Sequence, residues 1–301
     1  MSAMRWSESV RAARESGRPI VALESSVLAQ GLPIPANREA EARMRAGVER
    51  SGAVAAITAV VRGVPTVGLE DEALERFLRR DGVIKVAARD LPVAMAKGLD
   101  GATTVAGTLA ICERAGLDVF ATGGIGGVHR EPAFDESADL LELSRASVVV
   151  VCAGAKSILD LPATLERLDS YGVTLLGYRT DEFPGFFTAS TGLRVPARAD
   201  SPEEVAAVLL QARALGLPGA VLVVQPPPAA QALDRAEVEQ AVDRALAEAR
   251  AAGVRGAAVT PFLLAAVEQA TEGRSRVANL ALLEQNAALA GAIASALSVP
   301  P

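Results

Sequence analysis

Lys156 stands where an apolar run, Ser147 to Asp160 (SVVVVCAGAKSILD), gives way to small residues and a turn. Four consecutive valines followed by Cys-Ala-Gly-Ala predict a fully buried strand of the parallel type. Lys156 then falls at the strand's carboxyl end, the place where open α/β sheets bind ligands. Composition singles the residue out further. Of 30 basic residues only Lys85, Lys97 and Lys156 are lysines, the other 27 being arginines. Arginine keeps its proton at biological pH, whereas a desolvated lysine can become a free amine and attack a carbonyl carbon. Lys156 is therefore a candidate nucleophile; an ordinary phosphate or carboxylate partner is the plainer alternative. AGAKS looks like the end of a P-loop, but that motif needs glycines where Val150 and Ala155 stand.

Other residue types that could do chemistry also fall at element ends. Glu24 closes PIVALES, a predicted buried strand from Pro19 to Ser25, and Lys85 lies in a predicted strand from Val83 to Ala87. Thr103 and Thr104 open an amphipathic helix, GATTVAGTLAICERAG, stopped by Gly116. Free N–H groups and hydroxyls at a helix start make an anion site. A strand from Val119 to Thr122 leads to GGIGGVHR, with the chain's one histidine, His129. Such glycines let backbone approach a ligand, or simply form a tight turn that His129 bonds within. The dinucleotide fingerprint fails, because its third glycine position falls on His129. Asp135, Glu136 and Asp139 read as carboxylates on a short helix, which could share a hydrated divalent ion or form a solvated face.

The elements that must position these residues alternate strand and helix. A polar amphipathic helix covers the N-terminus, and after QGLPIPAN a helix runs from about Asn37, a good N-cap, to Ser51. Ala53 to Val61 reads as a strand, followed by GVPTVGL and a short helix, EDEALERFLRR, stopped by Gly82. Asp90-Leu91-Pro92 starts a short helix, at whose end Lys97 reads as a C-terminal helix charge. Beyond Lys156 come a helix from Pro162 to Ser170, a strand from Val173 to Tyr178, and the irregular DEFPGFFTASTG, which holds three of seven phenylalanines and is expected to cap a pocket or bury itself at an interface. Composition shifts at Ala197 to Asp200. A helix capped by Ser201, a strand from Ala220 to Gln225, an Ala/Glu/Arg helix and two terminal helices complete the chain, with Asn279 and Asn286 seven apart on one helical face. At 301 residues the chain could hold one large domain or two, and the pattern predicts an α/β fold, three layers deep around a mostly parallel, mixed sheet.

With 50% apolar residues the chain can bury a sizeable core, and a net charge of −6 with no basic run speaks against nucleic acid as a partner. Cys112 and Cys152 lack any CxxC spacing, which suits reduced thiols in a cytoplasm. No signal peptide is legible and no apolar run is expected to reach membrane-spanning length, so a cytoplasmic protein is expected, with no membrane partner.

The motifs ALESSVLAQGLPIPAN, KVAARDLP, GATTVAGT, FATGGIGGVHR, DESADL, VVCAGAKSILD, YRTDEFPGFF and TPFLLAAV…AN, in collinear order, resemble those of the pseudouridine-5′-phosphate glycosidase family, also called the indigoidine synthase A family. The resemblance spans nearly the whole chain and implies a single domain over residues 1–301. It implies that Lys156 is a Schiff-base nucleophile and Glu24 a proton donor, and that Lys85 and the Val105 backbone contact a sugar phosphate near Thr104. It also implies that Ser137, Ala138 and Asp139 line the substrate site, that Asp135 holds manganese (Mn2+), and that the protein is a homotrimer. Asn279 would reach the base, and His129 is a further candidate ligand contact. Gln30 departs from the histidine many relatives show, Ala88 from a basic or hydroxyl residue, and the loop between His129 and Asp135 is shortened.

The implied reaction suits these residue types. Pseudouridine joins ribose to uracil through carbon, so there is no leaving oxygen or nitrogen for the usual two-carboxylate strategy. An uncharged Lys156 can open the ribose and hold it as an imine while Glu24 moves protons at the base carbon, yielding uracil and ribose 5-phosphate reversibly. Another Schiff-base phosphosugar lyase or aldolase, and a non-catalytic phosphosugar-binding protein, remain the alternatives.

Overall fold

The computed structural model describes residues 4–131, 134–254 and 259–298. Its frame is an eleven-stranded mixed sheet. One continuous path runs through strands Arg5–Trp6, Val64–Val67, Val54–Val61, Ile20–Glu24, Val119–Ala121, Val149–Cys152, Val221–Val224, Thr174–Tyr178 and Ala197–Ala199. From Val54–Val61 onward every neighbouring pair on this path is parallel. The central strands Val149–Cys152 and Val221–Val224 are apolar throughout and wholly buried, because helices cover both faces.

Chain order reverses beside Ile20–Glu24. The connection through helix Ala36–Glu49 carries the chain to Val54–Val61 on one side, whereas Val119–Ala121 pairs on the other and leads on to Val149–Cys152. A crevice opens above the strand ends at such a switch point. Glu24 and Thr122 stand on its two rims.

Two edges hold strands that the sequence reading did not assign. Within GVPTVGL, Val64–Val67 turns back as an antiparallel hairpin on Val54–Val61, and Arg5–Trp6 pairs with it as an edge strand before the N-terminal helix Glu8–Glu15. The predicted helix start GATT is also partly strand. Asp100–Thr103 runs antiparallel to Val54–Val61 and parallel to Val83–Val86, and the helix begins only at Val105. This antiparallel insertion brings Thr103 and Val86 level with Thr58 and Glu24.

Helix ends follow local chemistry. Thr104 caps Val105–Ala115 by accepting from Gly107 N–H, and Gly116 ends it in the left-handed conformation. Ser201 caps Pro202–Ala214 in the same way. Asn37, expected as an N-cap, lies inside helix Ala36–Glu49, fully buried, donating to the Leu28 and Leu78 carbonyls. Helix Asp71–Arg79 ends on Arg80 at positive φ, two residues before Gly82.

The terminal helix Arg274–Ser298 corrects another expectation, being long and apolar enough by length and composition alone to cross a membrane. Here it packs across the sheet against helix Ala36–Glu49. The approach is close at Gly47 and Gly291, where a Cβ would fall 2.7 Å from the Glu284 and Val48 carbonyl oxygens respectively. An alanine at either position would force these backbones apart.

Candidate active site

Lys156 sits beyond the end of Val149–Cys152, held by its backbone to the loop that follows Val119–Ala121. Ala153 N–H donates to Gly123 O, Ile125 N–H to Gly154 O and Lys156 N–H to Ile125 O, so the two loops continue the parallel ladder beyond the sheet. Gly154 takes φ +87°, and a Cβ there would lie 2.2 Å from Pro184 O. DEFPGFF thus presses directly on the lysine's turn, with Phe186 N–H donating to Ala153 O. Phe183, Phe186 and Phe187 are buried, and Phe186 also lines the cleft, so this loop both buries itself and walls the site.

That cleft is lined by Glu24, Lys85, Lys156 and Asn279 together with Ser26, Gln30, Gly123, Gly124, Thr260 and Pro261. Glu24 is 6% exposed. Its carboxylate accepts from the Thr122 hydroxyl on one oxygen and from the Ser26 hydroxyl, at 2.5 Å, on the other. Thr122 is fixed in turn: Asn286 Nδ2 donates to its carbonyl at 2.8 Å and Gln225 Nε2 donates to Asn286 Oδ1 at 2.9 Å. Asn279 and Asn286 do share a face of their helix, both directed at the Thr122–Gly123 strand end.

Lys85 has its ammonium pKa lowered, first by desolvation and then by Lys156, while Asp139 and Glu24 act in the opposite sense. His129 is also lowered, chiefly by burial, with Asp135 opposing and Lys156 and Lys85 adding to the effect. Its imidazole is therefore neutral at physiological pH. Lys85, Lys156 and Glu24 line the cleft itself, while His129, Asp135 and Asp139 lie near enough for their charges to act on the lysines or be acted on by them. Cys152, under the lysine, takes no part as a nucleophile: burial pushes its thiol up to about 12.

The acidic trio does not form a shared carboxylate face. Its residues precede or open helix Ala138–Leu143, and each does something different. Glu136 pairs with Arg167. Asp139, 5% exposed, accepts from Ala106 N–H at 2.9 Å on one oxygen and from Gly126 N–H at 2.8 Å on the other. Both acceptors face backbone, so Asp139 is an anchor between the Val105 helix and the glycine loop. Ser137 caps its helix by accepting from Asp139 N–H, and its hydroxyl lies against Gly126; Ala138 is exposed. Asp135 makes no side-chain hydrogen bond to the described residues, while its carbonyl accepts from His129 N–H. No group of three metal-ligating side chains occurs among the described residues. The shortened loop after His129 includes residues 132 and 133, which lie outside the described residues.

At the Thr104 helix start, Ala106 N–H is taken by Asp139 and Gly107 N–H by Thr104. Val105 N–H is the first-turn donor left with no acceptor among the described residues. Sequence reasoning missed Ser26 and Thr122, which hold Glu24, and Thr260 and Pro261, which wall the cleft with the Phe186 that the sequence had placed in a capping loop. A hydroxyl two residues from a strand-end carboxylate was the only local signal, and it points at Ser26 alone.

A doubly covered, mostly parallel sheet with Lys85, Lys156 and Glu24 lining one cleft at its switch point defines the architecture of an α/β enzyme. The sequence pattern of indigoidine synthase A-like proteins matches residues 9–296, and the chain belongs to this family. A relative named pseudouridine-5′-phosphate glycosidase from Gemmatimonas aurantiaca is 64% identical over 97% of this chain and 96% of its own length. One of the same name from Herpetosiphon aurantiacus is 52% identical over 96% of each. Among solved structures, the prealnumycin C-glycosynthase AlnA in complex with ribulose 5-phosphate superposes with a TM-score of 0.90 at 39% identity, covering 98% of this chain and 97% of that one. An indigoidine synthase A-like protein from Thermotoga maritima gives 0.91 at 36% identity over 99% and 97%.

Proposed function

We propose that this protein cleaves the carbon–carbon glycosidic bond of pseudouridine 5′-phosphate to uracil and ribose 5-phosphate. The observation that carries the reading is the placement of Lys156, Glu24, Lys85 and Asn279 in one cleft at the switch point of a fold whose relatives bear that name. That a relative of this fold holds a five-carbon sugar phosphate supports the same substrate class.

The uncharged Lys156 amine forms a bond to C1′ as the C1′–O4′ bond breaks and the ring oxygen takes up a proton. Glu24, held by Thr122 and Ser26, delivers a proton to the base carbon. The lysine nitrogen's lone pair then closes to an imine as the C1′–carbon bond to uracil breaks, and water hydrolyses the imine to free ribose 5-phosphate and Lys156. Lys85 and Val105 N–H receive the phosphate, the first as a charge and the second as a directed donor. Asp139 places Val105 by holding the next residue's N–H. A single uncommitted carboxylate, Asp135, fits a largely hydrated divalent ion such as Mn2+, which would supply positive charge beside phosphate and water.

Incubation with pseudouridine 5′-phosphate and a divalent ion, following uracil, tests the reading. Release of uracil and ribose 5-phosphate in equal amounts is the expected result. Release of an aldehyde without uracil favours a phosphosugar aldolase instead.

A further inference from the structure

The cleft holds two carboxamides with no partner among the described residues. Asn279 Oδ1 and Gln30 Oε1 are buried atoms with no hydrogen-bond partner. Neither side chain bonds to any described residue. Leaving a buried carbonyl oxygen unsatisfied is costly, and native structures keep few of them. Both residues line the cleft with Glu24 and Lys156, and both also line the adjoining outer groove beside Pro261 and Leu264.

Gln30 reaches this position through an irregular backbone. Val27–Gly31 is a π-helical turn directly after the Glu24 strand, inserted where an α-turn would rotate residue 30 to another bearing. Turns of this kind concentrate at functional sites. Leu28 and Ala29 N–H both donate to Ser25 O, so the turn is tied to the strand end that carries Glu24. Apolar walls from Val27, Pro261, Leu264 and Phe186 offer flat contact area between the two amides.

We infer that Gln30 is a specificity-determining residue of the base site, reading one N–H edge of a uracil ring attached through carbon while Asn279, expected at the base from the family resemblance, takes the other. This rests on the function proposed above. A carboxamide presents a carbonyl beside an NH2 group, complementary to an imide edge of N–H beside C=O. Uracil joined to the sugar through C5 keeps both N1–H and N3–H, so it offers two such edges to two carboxamides. Joined through N1, it has lost one donor. The carbonyl meant for that donor then stays buried and unpaired, and sites built to hydrogen-bond a group reject analogues lacking it. The pair therefore selects carbon-linked over nitrogen-linked nucleotides before any bond is broken.

The test measures kcat/KM for pseudouridine 5′-phosphate and for its N1-methyl and N3-methyl derivatives, on wild-type protein and on Gln30→Met and Gln30→Leu. Inhibition by ribose 5-phosphate, which lacks the base, reports whether each variant keeps an intact site. Wild-type protein should lose about tenfold or more on methylation at either nitrogen. Both variants should lose about tenfold on the unmethylated substrate, and the penalty at one nitrogen should shrink to about twofold or less while the other persists. Inhibition by ribose 5-phosphate should be unchanged. Methylation penalties that are the same in wild type and variants overturn the inference, as does loss of ribose 5-phosphate inhibition in both variants, which would make Gln30 a general prop of the site. A wild-type protein that leaves pseudouridine 5′-phosphate intact overturns the proposed function, and this inference falls with it.

Discussion

Replacing Asp139 separates an anchor from a ligand. Its two carboxylate oxygens hold Ala106 N–H at 2.9 Å and Gly126 N–H at 2.8 Å, and the residue is 5% exposed. Asp139→Ala leaves two donors buried with no acceptor, each worth about 1–3 kcal/mol. The expected loss of stability is thus about 2–6 kcal/mol, a large share of the roughly 5–15 kcal/mol that holds a folded protein together. Asp139→Asn keeps one acceptor and turns an NH2 toward the other donor, so its loss should be smaller, about 1–3 kcal/mol. Equilibrium urea unfolding of the ligand-free protein measures both, a shifted midpoint at constant slope being the signature of a change in stability alone. A residue whose oxygens served substrate would behave in the opposite way, with affinity for ribose 5-phosphate falling and the ligand-free midpoint unmoved. An Asp139→Ala loss below about 1 kcal/mol would refute the anchoring argument.

Lys156→Arg keeps the charge but cannot form an imine, so it should be inactive. Borohydride added during turnover should fix a sugar adduct on wild-type Lys156, and an adduct mapping to Lys85 or Lys97 would reassign the nucleophile. Thr122→Val removes a hydroxyl that Glu24 accepts from while keeping the shape, and turnover should fall by roughly 10-fold or more with little change in ribose 5-phosphate affinity; unaltered turnover would leave Thr122 without a role. Lys85 has a folded-state pKa below its unfolded one, so the native state loses that proton first and stability rises with pH through this range. Lys85 is exposed to solvent, so that slope should be shallow, and Lys85→Met should move the unfolding midpoint little while abolishing phosphate-dependent binding. Chelator should abolish activity and manganese restore it, and Asp135→Asn should weaken that restoration; full activity in excess chelator would remove the metal from the mechanism.

Much of the central sheet is legible because its strands need no partner to declare themselves. Val148 to Val151 and Ala220 to Val224 are apolar at every position, which only a strand covered on both faces requires, and Thr104 and Gly116 bracket their helix with caps that act within a few residues. Asp100–Thr103 was illegible for the opposite reason. Asp, Gly and Ala are poor strand formers, Thr alone favouring one, and the segment is a strand because Val83–Val86 and Val54–Val61 lie on either side of it.

Polar residues divide along the same line. Lys156 and Glu24 are conspicuous in sequence, since each ends an apolar strand and one is a rare lysine. What Asp139 and Asn37 do depends on partners that no local pattern names: Asp139 serves Ala106, 33 positions away, and Asn37 serves Leu78, 41 away. Read locally, one looks like a ligand and the other like a cap. Thr122 meets Glu24 across 98 positions, in a strand that becomes its neighbour only because the sheet reverses order there. The topology that creates the crevice thus also completes the proton donor's surroundings, and any change that slipped the Val119–Ala121 register by one residue would turn Thr122 to the opposite face and strip Glu24 of that hydroxyl.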